Sequence, residues 1–358
     1  LSCMVHMGNG VMGIAFGTAA TVMLRGHVSD YAGSFSYCEN EDIGEDEKPK
    51  AFPVQNERLK TAKPDDFKKI PGSPVAYWIS RKTREAFDQG CLSEYIDAKQ
   101  GLATANNDKF LKYWWELNFI SINFTAKNRE EAVKSEKKWF PYNKGGEFKK
   151  WHGNQEHVVN WKNDGYEIRN YCDSSGKVLS RPQNIDQFFK ESASWTLISS
   201  SNFGARFFPP GFIFDINGMS AFAKSIDTKS VVAYLNSAVS NYFLRIINPT
   251  MAFQIGDILR LPVPNNISEQ SVLSNSVGCI EITELNQNDF EKSWSFESLK
   301  LAKVKCSILK FAWDNYLFSI QQQISNVKKF EEANNQIFIA AYGLQDELSP
   351  EVPESQIT

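Results

Sequence analysis

Gly8, Gly10 and Gly13 stand at the spacing G-x-G-x-x-G. That pattern cradles a phosphate or an adenosyl cofactor when a buried strand feeds the loop and a helix leaves it, so that backbone N–H groups face the anion. Here only Leu1 to Val5 precede the motif, and the residues after it include Gly17, Thr21 and Val22, which favour strand over helix. The expected reading is a loop entering a β-hairpin, with glycine supplying positive φ. Other partial centres are no more complete. Methylation of an exocyclic base amine asks for an Asn/Asp-Pro-Pro-aromatic loop, whose polar atoms hold the amine while the ring stacks on the base. Asn248-Pro249-Thr250-Met251 lacks the second proline and the aromatic, and reads as a helix stop. Pro64-Asp65 with Asp97-Ala98-Lys99 has the residue types of a magnesium-dependent nuclease, but such pieces arise by chance in a chain of this length. His152 and His157 lack the further ligands of a zinc site. No catalytic residue and no metal ligand is assigned.

Binding chemistry is better represented. Three stretches interleave small, polar, basic and aromatic residues: Gly101 to Leu111, Lys138 to Trp151, and Ser180 to Asn184. Glycine beside Asn and Lys, as at Gly145 and Gly146, lets backbone approach a polymer phosphate. Asn, Gln and Arg are the side chains that make bidentate contacts to adenine and guanine edges. Plainer roles exist for the same residues: Gly145-Gly146 as a turn, Asn106-Asn107 as a helix cap, the tryptophans as core.

The elements that must position these stretches are mixed. Residues 14–38 read as strands, at Val22 to Leu24 and Phe35 to Tyr37. Residues 39–65 are acidic and weakly periodic, a loop or excursion. Arg81 to Gln89 suits a short helix. Between 101 and 265, short strand-like runs (Trp114 to Phe119, Val158 to Trp161, Gly211 to Ile216) are divided by Gly/Asn/Asp turns. Ser230 to Ile247 predicts one helix, with Val231, Leu235, Val239, Tyr242 and Ile246 on a shared face, and Gly256 to Leu261 a last short element. Beyond 266 the chain is helical. Leu309, Trp313, Tyr316, Ile320, Ile324 and Val327 form a stripe expected to pack inside the molecule.

Composition bounds the rest. The 358 residues, 42% hydrophobic, suffice for two or three domains. No apolar run approaches the roughly 18 residues of a membrane span. Six cysteines without C-x-x-C suit a reducing, cytoplasmic setting. Net charge is only −3, yet Lys127 to Lys150 holds eight Lys or Arg against four Glu, and Glu39 to Glu47 holds six carboxylates and no base. Screening confines each patch to about 10 Å, so an acidic protein can carry a basic face.

"GLATANNDKFLKYWWEL", "KWFPYNKGGEFKKWHGNQEHVVNWKNDGYEIRN", "GFIFDINGMSAFA" with "YLNS", and "NNQIFIAAYGLQDELSPEV" resemble the C-terminal half of the PglX-type adenine-specific DNA methyltransferases of BREX phage-defence systems, relatives of Type IIG restriction–modification enzymes. The resemblance implies an α+β chain. Residues 1–38 would be terminal strands of a Rossmann-like methylase domain, 39–100 a connection, 101–265 a mixed α/β target-recognition domain and 266–358 a helical C-terminal region. Catalytic and S-adenosylmethionine motifs would lie upstream, so this chain alone is expected to be inactive and to hold no cofactor. The expected partner is double-stranded DNA, with no membrane. Other defence-system proteins are the alternative partners, docking on an interaction module. Lys127, Arg129, Lys134, Lys137, Lys138, Lys149 and Lys150 would hold phosphates. Asn106, Lys109, Asn143, Lys144, Arg181 and Gln183 would read bases.

Overall fold

The computed structural model describes residues 1–26, 28–46, 48–51, 55–199, 202–303 and 308–358. Two compact units, Leu1–Gln89 and Gly90–Thr358, make up the chain.

The first unit is a four-stranded sheet of order β2-β1-β3-β4, with β1 Cys3–Met7, β2 Thr18–Val22, β3 Gly33–Cys38 and β4 Lys60–Ala62. β1 and β3 are parallel, and the other pairs antiparallel. A short core of Phe35, Ala62, Phe67 and Tyr77 lies against it. A strand does feed the glycine motif, contrary to the expectation from its few preceding residues. The loop then makes a 3-10 turn at Val11–Gly13 and returns as β2, with Gly10 at φ 81° and Gly13 at φ 69°. No helix leaves it, so no helix N-terminus faces the glycines. The expected strand at Val22 to Leu24 is displaced: pairing with β1 takes Thr18–Val22, and Met23 and Leu24 are exposed. Helices α1 (Pro64–Phe67) and α2 (Arg81–Ala86) complete the unit, α2 capped by Ser80.

The second unit opens with β5 (Ile96–Lys99), α3 (Asn107–Phe110), β6 (Leu111–Tyr113), α4 (Arg129–Lys134), β7 (Trp139–Asn143), β8 (His157–Asn160) and α5 (Lys162–Arg169). It continues through β9 (Ser192–Thr196), β10 (Ala205–Phe208), β11 (Ile213–Phe214) and β12 (Gly218–Ala223). Two sheets result, of order β10-β9-β12-β5 and β11-β7-β8-β6. Alternation along β9, β10 and β12 sorts the first of these. Ala193, Trp195, Ala205, Phe207, Met219 and Ala221 share one face, and Ser194, Arg206 and Ser220 the other, in register across three strands. Phe110, Phe140, Trp161, Phe188, Ile213 and Phe214 form the main core around the second sheet. Trp114 to Phe119, expected as a strand, instead makes 3-10 turns at Trp114–Glu116 and Phe119–Ser121.

The helical part begins at α6 (Thr228–Leu235), which packs on β9, β10 and β12, then α7 (Ala238–Ile247) and α8 (Ile255–Leu259). The single helix expected over Ser230 to Ile247 is broken. Asn236 turns its amide onto the edge of β10, accepting from Ala205 N (2.8 Å) and donating to Ala205 O (2.9 Å), and Ser237 caps the next helix by accepting from Ser240 N. Last come α9 (Gln270–Gln287), α10 (Lys300–Lys303) and the 34-residue α11 (Leu309–Tyr342). α9 and α11 run antiparallel: Asn275 donates to Asn334 (2.9 Å) and Asn286 to Gln323 (3.4 Å). α9 ends one residue beyond Asn286, so the first turns of α11 extend past it. The apolar stripe is therefore packed at Val327 but not at its start, where Leu309 is 75% and Trp313 46% exposed. The expectation of internal packing fails there because α9 is too short to cover it.

Among the described residues no helix is long and apolar enough to cross a membrane. Cys3, Cys38, Cys91, Cys172 and Cys279 are free thiols; Cys306 lies outside the described residues.

Candidate nucleic-acid interface

The three polar stretches meet in the second unit. Ala103 and Arg181 exchange backbone hydrogen bonds of 3.0 and 2.8 Å. Leu102 N donates to Phe214 O, Leu102 O accepts from the Tyr142 hydroxyl (3.0 Å), and Leu102 bridges to Asp215. Asp215 in turn accepts from Tyr142 (2.6 Å) and holds the Lys144 ammonium at 2.8 Å. One continuous path thus runs from Arg181 through Ala103 and Leu102 to Asp215 and Lys144. Arg181 is exposed, Gln183 partly so, and Lys144 half-covered. Asn184 fixes the third stretch by donating to Gln100 O (2.8 Å).

Gly145 shows why the loop after β7 needs glycine. Its φ is 79°, and a Cβ would lie 2.9 Å from Asn217 O. Gly146, at φ 142°, is exposed. Asn143, just before them, is buried and spent on the fold: it donates to Ser194 Oγ (2.6 Å) and Gly218 O (3.2 Å), joining the two sheets. It presents no edge to a base. Asn106 serves as the cap of α3, accepting from Lys109 N (3.0 Å) and donating to the Tyr171 hydroxyl. Lys109 pairs with Glu167 at 3.1 Å and lies over the Tyr171 ring.

The cations divide as sharply. Lys127, Arg129 and Lys134 come together around α4, lining a groove of about 760 Å³ with Lys190, Asp164, Asp186 and Phe188. Arg129 is clamped to Asp164 through both Nε (2.9 Å) and Nη2, and Arg169 reaches the same carboxylate at 2.9 Å. Asp164 can take two guanidiniums because Asn163, Asp164 and Gly165 are successively left-handed, which turns it back toward α4. Lys137 donates to Ile120 O (2.7 Å), Lys138 lies over Trp139, and Lys149 is partly exposed. Lys150 contradicts the expectation outright. It is 4% exposed and ion-paired with Glu331 of α11, which also accepts from Trp151 Nε1 at 2.6 Å. A buried, neutralised ammonium offers nothing to a phosphate. Spacing in the sequence could not reveal this, because the partner lies 181 residues away.

His152 adjoins this pair and is largely buried, which pushes its pKa down to about 4. The unfolded imidazole, near 6.5, takes a proton first. Stability contributed by the neutral ring is therefore complete above pH 6.5 and is lost as pH falls toward 4, about 3 kcal/mol in all. Urea midpoints at pH 7 and 4.5 should show His152→Asn losing less stability on acidification than the wild type.

The partial catalytic sets remain unassembled. Asp65 pairs with Lys68 (2.7 Å) and Asp97 with Lys224 (3.1 Å), each within its own unit. Asn248 closes the end of α7 by donating to Ala252 O and Asp257 Oδ2. Among the described residues no three His, Cys, Asp or Glu side chains are grouped to hold a metal.

No family model matches the chain. It is 35% identical over 99% of its length to the adenine-specific methyltransferase PglX of Lacticaseibacillus casei (strain Zhang), and 32% identical over 91% to the adenine-specific methyltransferase BrxX of Escherichia coli O9:H4 (strain HS). It spans 31% and 26% of those proteins. Two solved structures share weaker likeness. The Type IIL restriction–modification enzyme MmeI, in complex with DNA, matches 71% of this chain and 33% of its own at TM-score 0.42 and 13% identity. The Type IIG restriction endonuclease BpuSI matches 96% and 44% at TM-score 0.34 and 11% identity. Over nearly its whole length the chain is thus homologous to one region of the PglX-type adenine-specific methyltransferases, the family to which its motifs pointed.

Proposed function

We propose that this chain contains the DNA sequence-recognition portion of a site-specific adenine N6-methyltransferase of a phage-defence system, acting on double-stranded DNA in the cytoplasm. The observation that carries the reading is the path joining Arg181, Ala103, Leu102, Asp215 and Lys144, in a chain homologous end to end to adenine-specific methyltransferases. Arg181, Gln183 and Lys144 are the base readers, since their polar atoms face outward. Lys127, Lys134, Lys137, Lys138 and Lys149 hold phosphates, while Arg129 is restrained by Asp164. The strands of Leu1–Gln89 belong with a methylase lobe. S-adenosylmethionine, which supplies the methyl group, is held by residues outside this chain, because the Gly8–Gly13 loop offers no helix N-terminus to it.

Arg181→Ala tests the reading. An arginine paired to a guanine edge contributes about 1–3 kcal/mol of discrimination. The variant should lose roughly tenfold or more in preference for its cognate site while keeping its affinity for unrelated duplex, measured by competition in a gel-shift assay. Unchanged preference removes Arg181 from the readers.

A second reading, a module that docks other defence-system proteins, draws on the exposed apolar residues at the start of α11, among them Leu309, Phe311 and Phe318. Binding that persists after nuclease treatment separates it from the first.

A further inference from the structure

Tyr113 and Trp115 have no part in that readout. Their rings stack at 4.7 Å with planes 6° apart, yet they are 42% and 43% exposed. Exposed aromatics normally scatter singly, and a coplanar pair facing solvent leaves apolar area uncovered. The pair is also held rigid. Glu116 accepts from Tyr113 N (2.7 Å), closing the 3-10 turn. Trp115 meets Trp114 edge-on, and Trp114 is tied by its Nε1 to Lys292 O (2.8 Å). His157 supports the Tyr113 ring from within the sheet at 4.7 Å.

Sheet register connects this pair to the proposed readers. Tyr113, His157 and Tyr142 are directly opposed across β6, β8 and β7. Tyr142 ends that row on Asp215, the partner of Lys144, and both charges are felt at His157. Lys112 adds a cation beside Tyr113. A flat π-surface with positive groups along one side suits a ligand that is flat and carries negative charge on its flank, which describes a nucleotide.

We propose that Tyr113 and Trp115 form a platform that stacks an unpaired nucleobase of bound DNA. The proposal rests on the recognition reading for the surrounding domain. It adds a site for a base that has left its pair, distinct from the groove-edge contacts of Arg181 and Lys144.

The test uses the full chain and two oligonucleotide duplexes, one carrying a single 2-aminopurine bulge and one with the same base paired. Wild type should bind the bulged duplex about tenfold more tightly and quench its fluorescence. Trp115→Ala should abolish both effects and leave paired-duplex affinity unchanged, and Trp115→Phe should retain part of each. Circular dichroism confirms folding, and the Phe variant keeps the test valid if the Ala variant unfolds. Salt-dependent binding of the paired duplex with no preference for the bulge overturns the platform alone. Preference for the bulge without any binding of the paired duplex supports the platform and overturns the recognition reading. Equal loss on both duplexes in Trp115→Ala, or capture of neither by wild type, overturns the platform.

Discussion

Glu331→Ala should cost the fold about 3–5 kcal/mol, the penalty for leaving a buried charge without its partner. Glu331 is 4% exposed and serves two groups of one loop, the Lys150 ammonium and the Trp151 indole. Removing it strands both donors where no solvent reaches. The surrounding face of α11 is polar and buried as well. Asn335 accepts from Ala238 N (2.8 Å) and donates to Pro350 O (3.0 Å), and Asn334 takes the hydrogen bond from α9. This helix therefore docks through directional bonds, which depend on each partner being present. Urea denaturation is the measurement. The double replacement Lys150→Met with Glu331→Met should fall far closer to wild type, since exchanging a buried pair for packed apolar side chains is near neutral. A loss below about 1 kcal/mol in Glu331→Ala would show that water or a shifted carboxylate rescues Lys150.

The combined replacement of Lys127, Lys134 and Lys138 by alanine should have the largest effect on DNA. All three are exposed, and none forms an ion pair among the described residues. Each phosphate contact contributes about 0.9 to the slope of log affinity against log salt, so the slope should flatten by about 2.7. Near 0.1 M salt that amounts to a loss of roughly 100- to 1000-fold, equal for cognate and unrelated duplexes. Thermal stability should be unchanged, because these side chains pack against little. The pattern is the reverse of that expected for Arg181→Ala, where specificity falls and general affinity holds.

Local signals in the sequence were the ones that survived folding. The glycine-rich loop at Gly8–Gly13 enters a hairpin, Val158 to Asn160 is a strand, Arg81 opens a helix, and the C-terminal quarter is helical. Asn106 took its plainer role as a cap, a choice its side chain makes with a neighbour three residues away. What the sequence concealed was long-range pairing. Lys150 sits in a run of basic residues and resembles its neighbours there, yet Glu331 draws it inside. Asn143 likewise meets Ser194 only when two sheets face each other. Asp215, central to the site, has nothing in its local sequence to mark it until Tyr142 and Lys144 close on it. The break between α6 and α7 hides behind an apolar period that continues across it, although Ser237 is a residue suited to capping. At α11 the stripe foretells a helix correctly but cannot say how far its neighbour α9 will reach.

If this domain grips duplex DNA through its phosphates before reading it, salt must weaken the complex steeply. The decisive quantity is the affinity of the wild-type chain for duplex DNA across a tenfold range of salt. Five exposed or partly exposed lysines (Lys127, Lys134, Lys137, Lys138 and Lys149) predict a slope of log affinity against log salt near −4.5. A slope shallower than about −1, or no binding at the lowest salt, would contradict phosphate-led binding.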